Sequence, residues 1–342
     1  MSEFLNLSCQ VVLALNSMDV VYEVSVTSQM FLSEVISSIP DDGRDAIIHL
    51  MPGDYHQRVE IFRPHTSLVG AGADRTVIHE ACGALEILSD TGNQGMKRGT
   101  FRTSIVRTDA DHVTLQGLTI RNDAAPREKA GQAIALYADG DSFFCEDCVL
   151  SSFQDTLFTA PLPPSEVEKN GFIGPKQYAP RTPQRHLYRR VSISGDVDFI
   201  FGGAAAFFED CDIITRDGRE MKESAFEGYC TAASTPEGQK FGYVFHQCRF
   251  RGDGLPQHTT YLGRPWREFA KVALIYCTFD DHIHPALFDD WGKTAFHEHG
   301  MFAVYPMPES VSGTEGALMP DVRILTQTEA EEYTLDALWK SM

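Results

Sequence analysis

The segment Gly195-Asp196-Val197-Asp198-Phe199-Ile200-Phe201-Gly202 sets two carboxylates inside an apolar run closed by glycines. A buried acid in such a run is costly unless it is paired or put to chemical use. Read as a strand, the run turns Asp196 and Asp198 to one face and Val197 and Phe199 to the other. A third acid, Asp155 in Ser-Phe-Gln-Asp-Thr-Leu, lies seven residues past Cys148, as Asp198 lies seven past Val191. If Cys148 and Val191 hold equivalent places on neighbouring coils of chain, Asp155 and Asp198 stand about one strand spacing apart, ~4.8 Å. Two carboxylates that close do not both ionise cheaply, so one pKa rises, and the pair supplies an acid and a nucleophile at one pH. The competing assignment makes Asp155 a turn cap and Asp198 a hydrogen-bonded structural acid; spacing alone does not choose between them.

The elements that must position these acids follow from an internal repeat. The pattern apolar-x-x-apolar-x-apolar recurs as Leu115/Leu118/Ile120, Cys145/Cys148/Leu150, Tyr188/Val191/Ile193, Phe208/Cys211/Ile213, Phe245/Cys248/Phe250 and Leu274/Cys277/Phe279. At the middle position the steps are 30, 43, 20, 37 and 29 residues. Short β units without intervening helices, repeated at such steps, predict a parallel β-solenoid in which each coil stacks on the last. The repeated cysteines then form a column of small apolar side chains, and the strand context of Cys145-x-x-Cys148 speaks against a redox pair. Upstream, residues 10–27 read as short strands with a turn at Asn16-Ser17, and Ser28–Ile39 as a helix that caps an open sheet edge. Strand-turn-strand units continue from Ala46. Polar, Pro/Gly-rich inserts at 90–100, 160–185, 217–240 and 306–319 are expected to shape a binding face. The closing LTQTEAEEYTLDALWK reads as a C-terminal capping helix.

Composition bounds the rest. With 342 residues, 43% apolar and 23% charged, the chain can bury a large core, and a solenoid accommodates that length as one unit. A net charge of -19 argues against a nucleic-acid partner, which needs clustered Lys and Arg. The eight cysteines are spread through a long chain and read as buried free thiols rather than a disulfide framework. No apolar run approaches the ~18 residues of a membrane span. The N-terminal apolar patch lacks a preceding basic residue and a clean cleavage site. A cytoplasmic location is therefore expected, the alternative being a secreted or periplasmic protein whose signal is absent from this chain. His282-x-His284 and His297-x-His299 place imidazole pairs on one strand face, which zinc could use, but no Cys, third His or carboxylate sits at metal-ligand spacing around them.

FQDTLF, GDVDFIFGGAAAFFEDC and YLGRPWREF together resemble the signature segments of the pectin methylesterases, a family of carbohydrate esterases. GTFRTS, GQAIAL and LTQTEAEEYT fall in the family's order, and the resemblance runs from about residue 10 to the C-terminus. It implies an all-β fold, a right-handed parallel β-helix, as one domain over residues 1–342 with an N-terminal cap to about residue 45 and a C-terminal helix from about 325. It implies hydrolysis of galacturonate C6 methyl esters in homogalacturonan or its oligomers. In that scheme Asp198 resembles the nucleophile that forms an acyl-enzyme, and Asp155 the acid that protonates departing methanol and then activates water. Gln154 and Gln132 are similar to the amides that stabilise the oxyanion. Arg264 resembles the guanidinium that holds Asp198 ionised, Trp266 looks like a sugar-stacking wall, and Phe201 and Thr100 match positions near the substrate. No metal or organic cofactor is implied.

Two positions depart from the family pattern: Asp196 stands where most members carry Thr, and Gly203 where Asn or Asp is usual. The alternatives are a non-catalytic carbohydrate-binding β-helix, in which some of Gln132, Gln154, Asp155, Asp198 and Arg264 should have been lost, and a pectate lyase, which needs calcium-binding acids and a base for the C5 proton.

Overall fold

The computed structural model describes residues 12, 13 and 21–342, apart from 90, 91, 93, 223, 224 and 309–317. The predicted turn at Asn16-Ser17, Cys9, and most of the 306–319 insert lie outside the described residues. The chain winds as a parallel β-helix with three sheets of twelve, eight and seven strands. Among the described residues the strand ladders are parallel except for Val12–Leu13, which runs antiparallel to Tyr22–Val26 at one end of the twelve-stranded sheet, and an isolated antiparallel bridge joins Ile87 and Lys97.

The repeat read from the sequence is the register of two of these sheets. Leu115, Cys145, Tyr188, Phe208, Phe245 and Leu274 are successive partners across the twelve-stranded sheet. Ile120, Leu150, Ile193, Ile213, Phe250 and Phe279 are successive partners across the eight-stranded one. Between the two columns the chain turns through a single left-handed residue: Gly117, Asp147, Arg190, Asp210, Gln247 and Tyr276 have φ between 52° and 63°. Each gives its N–H to a carbonyl of the following coil, so the corner breaks no ladder. Left-handed backbone costs a non-glycine residue of order 1 kcal/mol, and stacking recovers it. Inside, Phe208 stacks between Tyr188 at 4.7 Å and Phe245 at 4.4 Å.

The coils begin earlier than the repeat suggested. Leu68 pairs with Leu115, and Ile78 with Ile120, in the same two columns. Helix α1 (Leu32–Ser38), shorter than the predicted 28–39, buries Leu32, Val35 and Ile36. It lies on the end strand of the seven-stranded sheet, where Ser33 Oγ accepts the N–H of Glu60 at 2.9 Å. The helix thus closes a sheet edge, as expected. Three further features differ from expectation. The 217–240 insert contains a strand of its own, Gly228–Ala233, in the seven-stranded sheet. After the single-turn helices α2 (Arg127–Ala130) and α3 (Phe296–His299), the C-terminal segment forms two short helices, α4 (Gln327–Ala330) and α5 (Leu335–Trp339), each with a threonine cap. They do not plug the end of the solenoid. Leu325, Ala330 and Leu338 pack instead on the outward side chains Phe207, Val244 and Ala273 of the twelve-stranded sheet. Among the described residues no helix is long and apolar enough to cross a membrane.

The seven described cysteines are free thiols, six of them buried. Burial pushes Cys145, Cys211 and Cys248 far above the usual thiol range, which leaves them inert as nucleophiles.

Candidate active site

One row of side chains crosses the seven-stranded sheet. Arg107, Tyr137, Phe158, Phe201, Ala232 and Arg264 are successive partners. The 160–185 insert folds over this row. Phe172 meets Trp266 edge-on at 6.0 Å, and Trp266 lies 5.7 Å from Phe201. Phe101, next to Thr100 in the 3-10 turn Thr100–Arg102, packs on Phe158 at 5.1 Å and Phe201 at 6.1 Å. Phe201 is only 4% exposed, so its ring backs Trp266 and offers little surface itself. Trp266 and Thr100 are half-buried at the edge of this aromatic floor.

Asp155 and Asp198 sit on adjacent coils at equivalent positions, because Leu157 pairs with Ile200. Both are left-handed, φ 65° and 50°, and the Asp155 N–H donates to the Val197 carbonyl at 3.1 Å. A short side chain tolerates this conformation better than a branched one, and such strain collects at functional sites. Their surroundings differ. Arg264 grips Asp198 with both arms, Nε to Oδ1 at 2.8 Å and Nη2 to Oδ2 at 2.7 Å. Its guanidinium is itself held between two rings, 3.9 Å from the centre of Tyr229 and 3.8 Å from that of Trp291. Burial raises the Asp198 carboxyl and Arg264 pulls it back. Asp155 has no such grip: burial, and then the Asp198 charge, push it well above the usual carboxylate range. Of the two, Asp198 gives up its proton first and Asp155 keeps its own.

Gln154 precedes Asp155, and its carbonyl accepts the N–H of Ala133, which puts Gln132 on the neighbouring coil. Both side-chain amides are half-buried, and among the described residues neither is hydrogen-bonded within the protein. Register therefore sets Gln132, then Gln154 with Asp155, then Asp198 on successive coils, with Arg264 bonded to Asp198, beside the aromatic floor that carries Phe201, Thr100 and Trp266.

Asp196 does not share the surroundings of Asp198. The alternation expected of a flat strand breaks at Asp198, where the backbone is left-handed and the register shifts between Val197 and Ile200. Asp196 faces Arg127 instead, at 3.3 Å. Gly203 has a steric reason: a Cβ there would come within 2.9 Å of the Pro161 carbonyl. Three residues of the site were not anticipated: Tyr229, Trp291 and Lys293. Lys293 donates to the Pro265 carbonyl at 2.6 Å and lies over Trp291, and burial with the neighbouring Arg267 and Arg264 lowers it to about 8. Trp291, in an otherwise polar stretch, was the one signal available.

The histidine pairs serve other ends. His297 and His299 lie on α3 rather than on a strand; His297 bridges Asp290 and Asp321, and His299 stacks on Phe269. His284 packs against Tyr261. Among the described residues no three His, Cys, Asp or Glu side chains converge as metal ligands.

Comparison with known proteins locates this arrangement. A family model described as Pectinesterase matches residues 20–162 and 178–340. A probable pectinesterase/pectinesterase inhibitor of Arabidopsis thaliana is 28% identical over 320 residues, covering 90% of this chain and 51% of its own length. Pectinesterase A of Dickeya chrysanthemi is 28% identical over 340 residues, covering 89% and 84% respectively. Among solved structures, a pectin methylesterase from Erwinia chrysanthemi superposes with a TM-score of 0.70 at 26% identity, covering 91% of this chain and 93% of its own. The chain spans about half the length of the plant relatives it matches.

Proposed function

The chain belongs to the pectinesterase family, and on that footing we propose that it hydrolyses C6 methyl esters of homogalacturonan or oligogalacturonates to free carboxylate and methanol. The observation that carries this reading is the asymmetric pair: Asp198 gripped by Arg264, Asp155 raised and without a cation of its own. A carboxylate attacks an ester only when it is charged, aligned and helped by stabilisation of the oxyanion.

In the proposed reaction an Asp198 oxygen attacks the ester carbonyl, and the charge that develops on the carbonyl oxygen meets the free amides of Gln132 and Gln154. Neutral donors suit this task, since they stabilise the oxyanion without neutralising Asp198. As the tetrahedral centre collapses, the Asp155 proton passes to the methoxy oxygen and methanol leaves, with Asp198 now acylated. The Asp155 carboxylate then takes a proton from water, and the hydroxide breaks the acyl bond, restoring both acids. Arg264, clamped by Tyr229 and Trp291, keeps the attacking carboxylate aligned throughout. Trp266 supplies the wall against which a sugar ring stacks, with Phe201 behind it and Thr100 beside the same floor.

The same proposal sets the reaction in the cytoplasm on imported oligomers, supported by the free thiols of all seven described cysteines. The test is methylated pectin and short methylated oligogalacturonates, each incubated with the protein once in EDTA and once with added calcium. Methanol without new absorbance from unsaturated ends supports the esterase; unsaturated ends without methanol overturn it in favour of a lyase. Release from oligomers but not from polymer supports the cytoplasmic setting.

A further inference from the structure

Asp196 takes no part in the reaction set out above, yet it is completely buried, two residues ahead of Asp198. Its Oδ1 accepts the Val197 N–H at 2.7 Å. Among the described residues its Oδ2 has no hydrogen bond, and it lies 3.3 Å from Nη1 of Arg127. Arg127 opens α2, and its backbone N–H donates to the Gly218 carbonyl at 3.1 Å. Gly218 is confined in turn, since a Cβ there would come within 2.3 Å of the Phe153 ring and 2.9 Å of Asp196 Oδ2. Two outer contacts repeat the connection: Lys129 to Glu220 at 2.7 Å, and the Glu220 N–H to Glu128 at 3.2 Å. Helix α2 ends at Gly131, φ 70°, and the next residue is Gln132.

We propose that the ion pair between buried Asp196 and half-buried Arg127 is a positioning device for Gln132, tying α2 to the strand that carries Asp198 so that amide and nucleophile keep one separation. The effect on turnover rests on the acyl-transfer reading above; the tether does not. A single helical turn has little stability of its own, so α2 stays where its contacts hold it. Among the described residues the Gln132 side chain is bonded to nothing, so its place is set by the backbone that leads into it. A buried charge is left uncompensated when its partner is removed, which makes an intact pair a firm tether.

The charged groups facing Asp196 are Arg127 from α2, Arg216, Asp217 and Arg219 from the segment beyond Thr215, and Asp155 from the preceding coil. Burial lifts Asp196 to about 6 against the pull of Arg127. Above that pH the pair is charged and the tether is complete; below it Asp196 is protonated and the tether loosens. The Asp196 charge also helps to raise Asp155.

Asp196→Asn keeps the shape and removes the charge. At pH 7, kcat on methylated pectin should fall about 10- to 100-fold, as for a misplaced catalytic group, with KM within about two-fold of wild type. The alkaline limb of the pH–rate profile should move to lower pH, because Asp155 loses its proton more readily. Peptides spanning residues 126–133 should exchange amide hydrogens faster, while the seven-stranded sheet exchanges as before. Arg127→Met should reproduce the fall in kcat and the faster exchange but not the shift of the alkaline limb, because the Asp196 carboxylate remains, and Arg127→Lys should recover most of the loss; this pair carries the test if Asp196→Asn does not fold. Unchanged exchange across 126–133 overturns the tether, with or without esterase activity in the wild type. Faster exchange with an unaltered kcat and pH profile overturns the positioning role. A wild-type protein that releases no methanol overturns the acyl-transfer reading, and the exchange result still decides the tether.

Discussion

Asp155 and Asp198 are the same residue in the same left-handed conformation, and they part company only through what surrounds them. One is gripped by a guanidinium with both arms, the other is paired with no cation among the described residues, and burial acts on both. The consequence is a prediction about pH. Activity should fall as pH rises through the elevated pKa of Asp155, because the proton owed to methanol is gone. In Asp155→Asn that alkaline limb should vanish and kcat should drop by at least about 100-fold, in the range for loss of a general acid–base; a wild-type pH profile contradicts the assignment. The equivalence of the two acids was legible as a seven-residue offset from the repeat. The fate of Asp196 was not, because strand alternation assumes an extended backbone and Asp198 is left-handed. Tyr229 and Trp291 were hidden for another reason. They reach Arg264 from different coils, and no spacing in the chain connects residues 229 and 291 to 264.

At the level of the element, the repeat was readable because each unit is strand, one left-handed corner, strand, which fixes an offset of five positions from one apolar column to the other. Upstream the same columns are filled by Leu68 and Ile78, ten residues apart, since a turn replaces the corner, and the pattern disappears from view. The strand Gly228–Ala233 was masked by the Pro/Gly-rich stretch around it, and it carries Tyr229. The C-terminal helical pattern was legible, but amphipathicity does not say which surface a helix covers, and this one buttresses the side of the solenoid. The interior stack yields a measurable expectation. Phe208→Ala removes the middle ring between Tyr188 and Phe245 and should cost about 3–5 kcal/mol, seen as a lower urea midpoint with an unchanged slope. A cost below about 1 kcal/mol would mean that the stack does not hold neighbouring coils together.

For the molecule as a whole, buried titratable groups pull stability in opposite directions with pH. Asp155, Asp196 and Asp198 are raised on folding, so their burial costs stability as pH rises through those values. His186, fully buried, is lowered to about 4. The unfolded chain takes up its proton near pH 6.5, so this group contributes stability above that pH and loses it as pH falls toward 4. Between pH 7 and 4, His186→Gln should therefore lose less stability than wild type, by on the order of 3 kcal/mol, in urea unfolding at each pH. Equal losses in the two proteins would show that the imidazole takes no part in acid unfolding.

If Asp198 bonds covalently to the substrate, methanol release depends on its carboxylate, and Asp198→Ala removes that group alone. The variant should unfold cooperatively like the wild type and release methanol from methylated pectin at least about 10³-fold more slowly. A folded variant within about ten-fold of the wild-type rate would contradict the account.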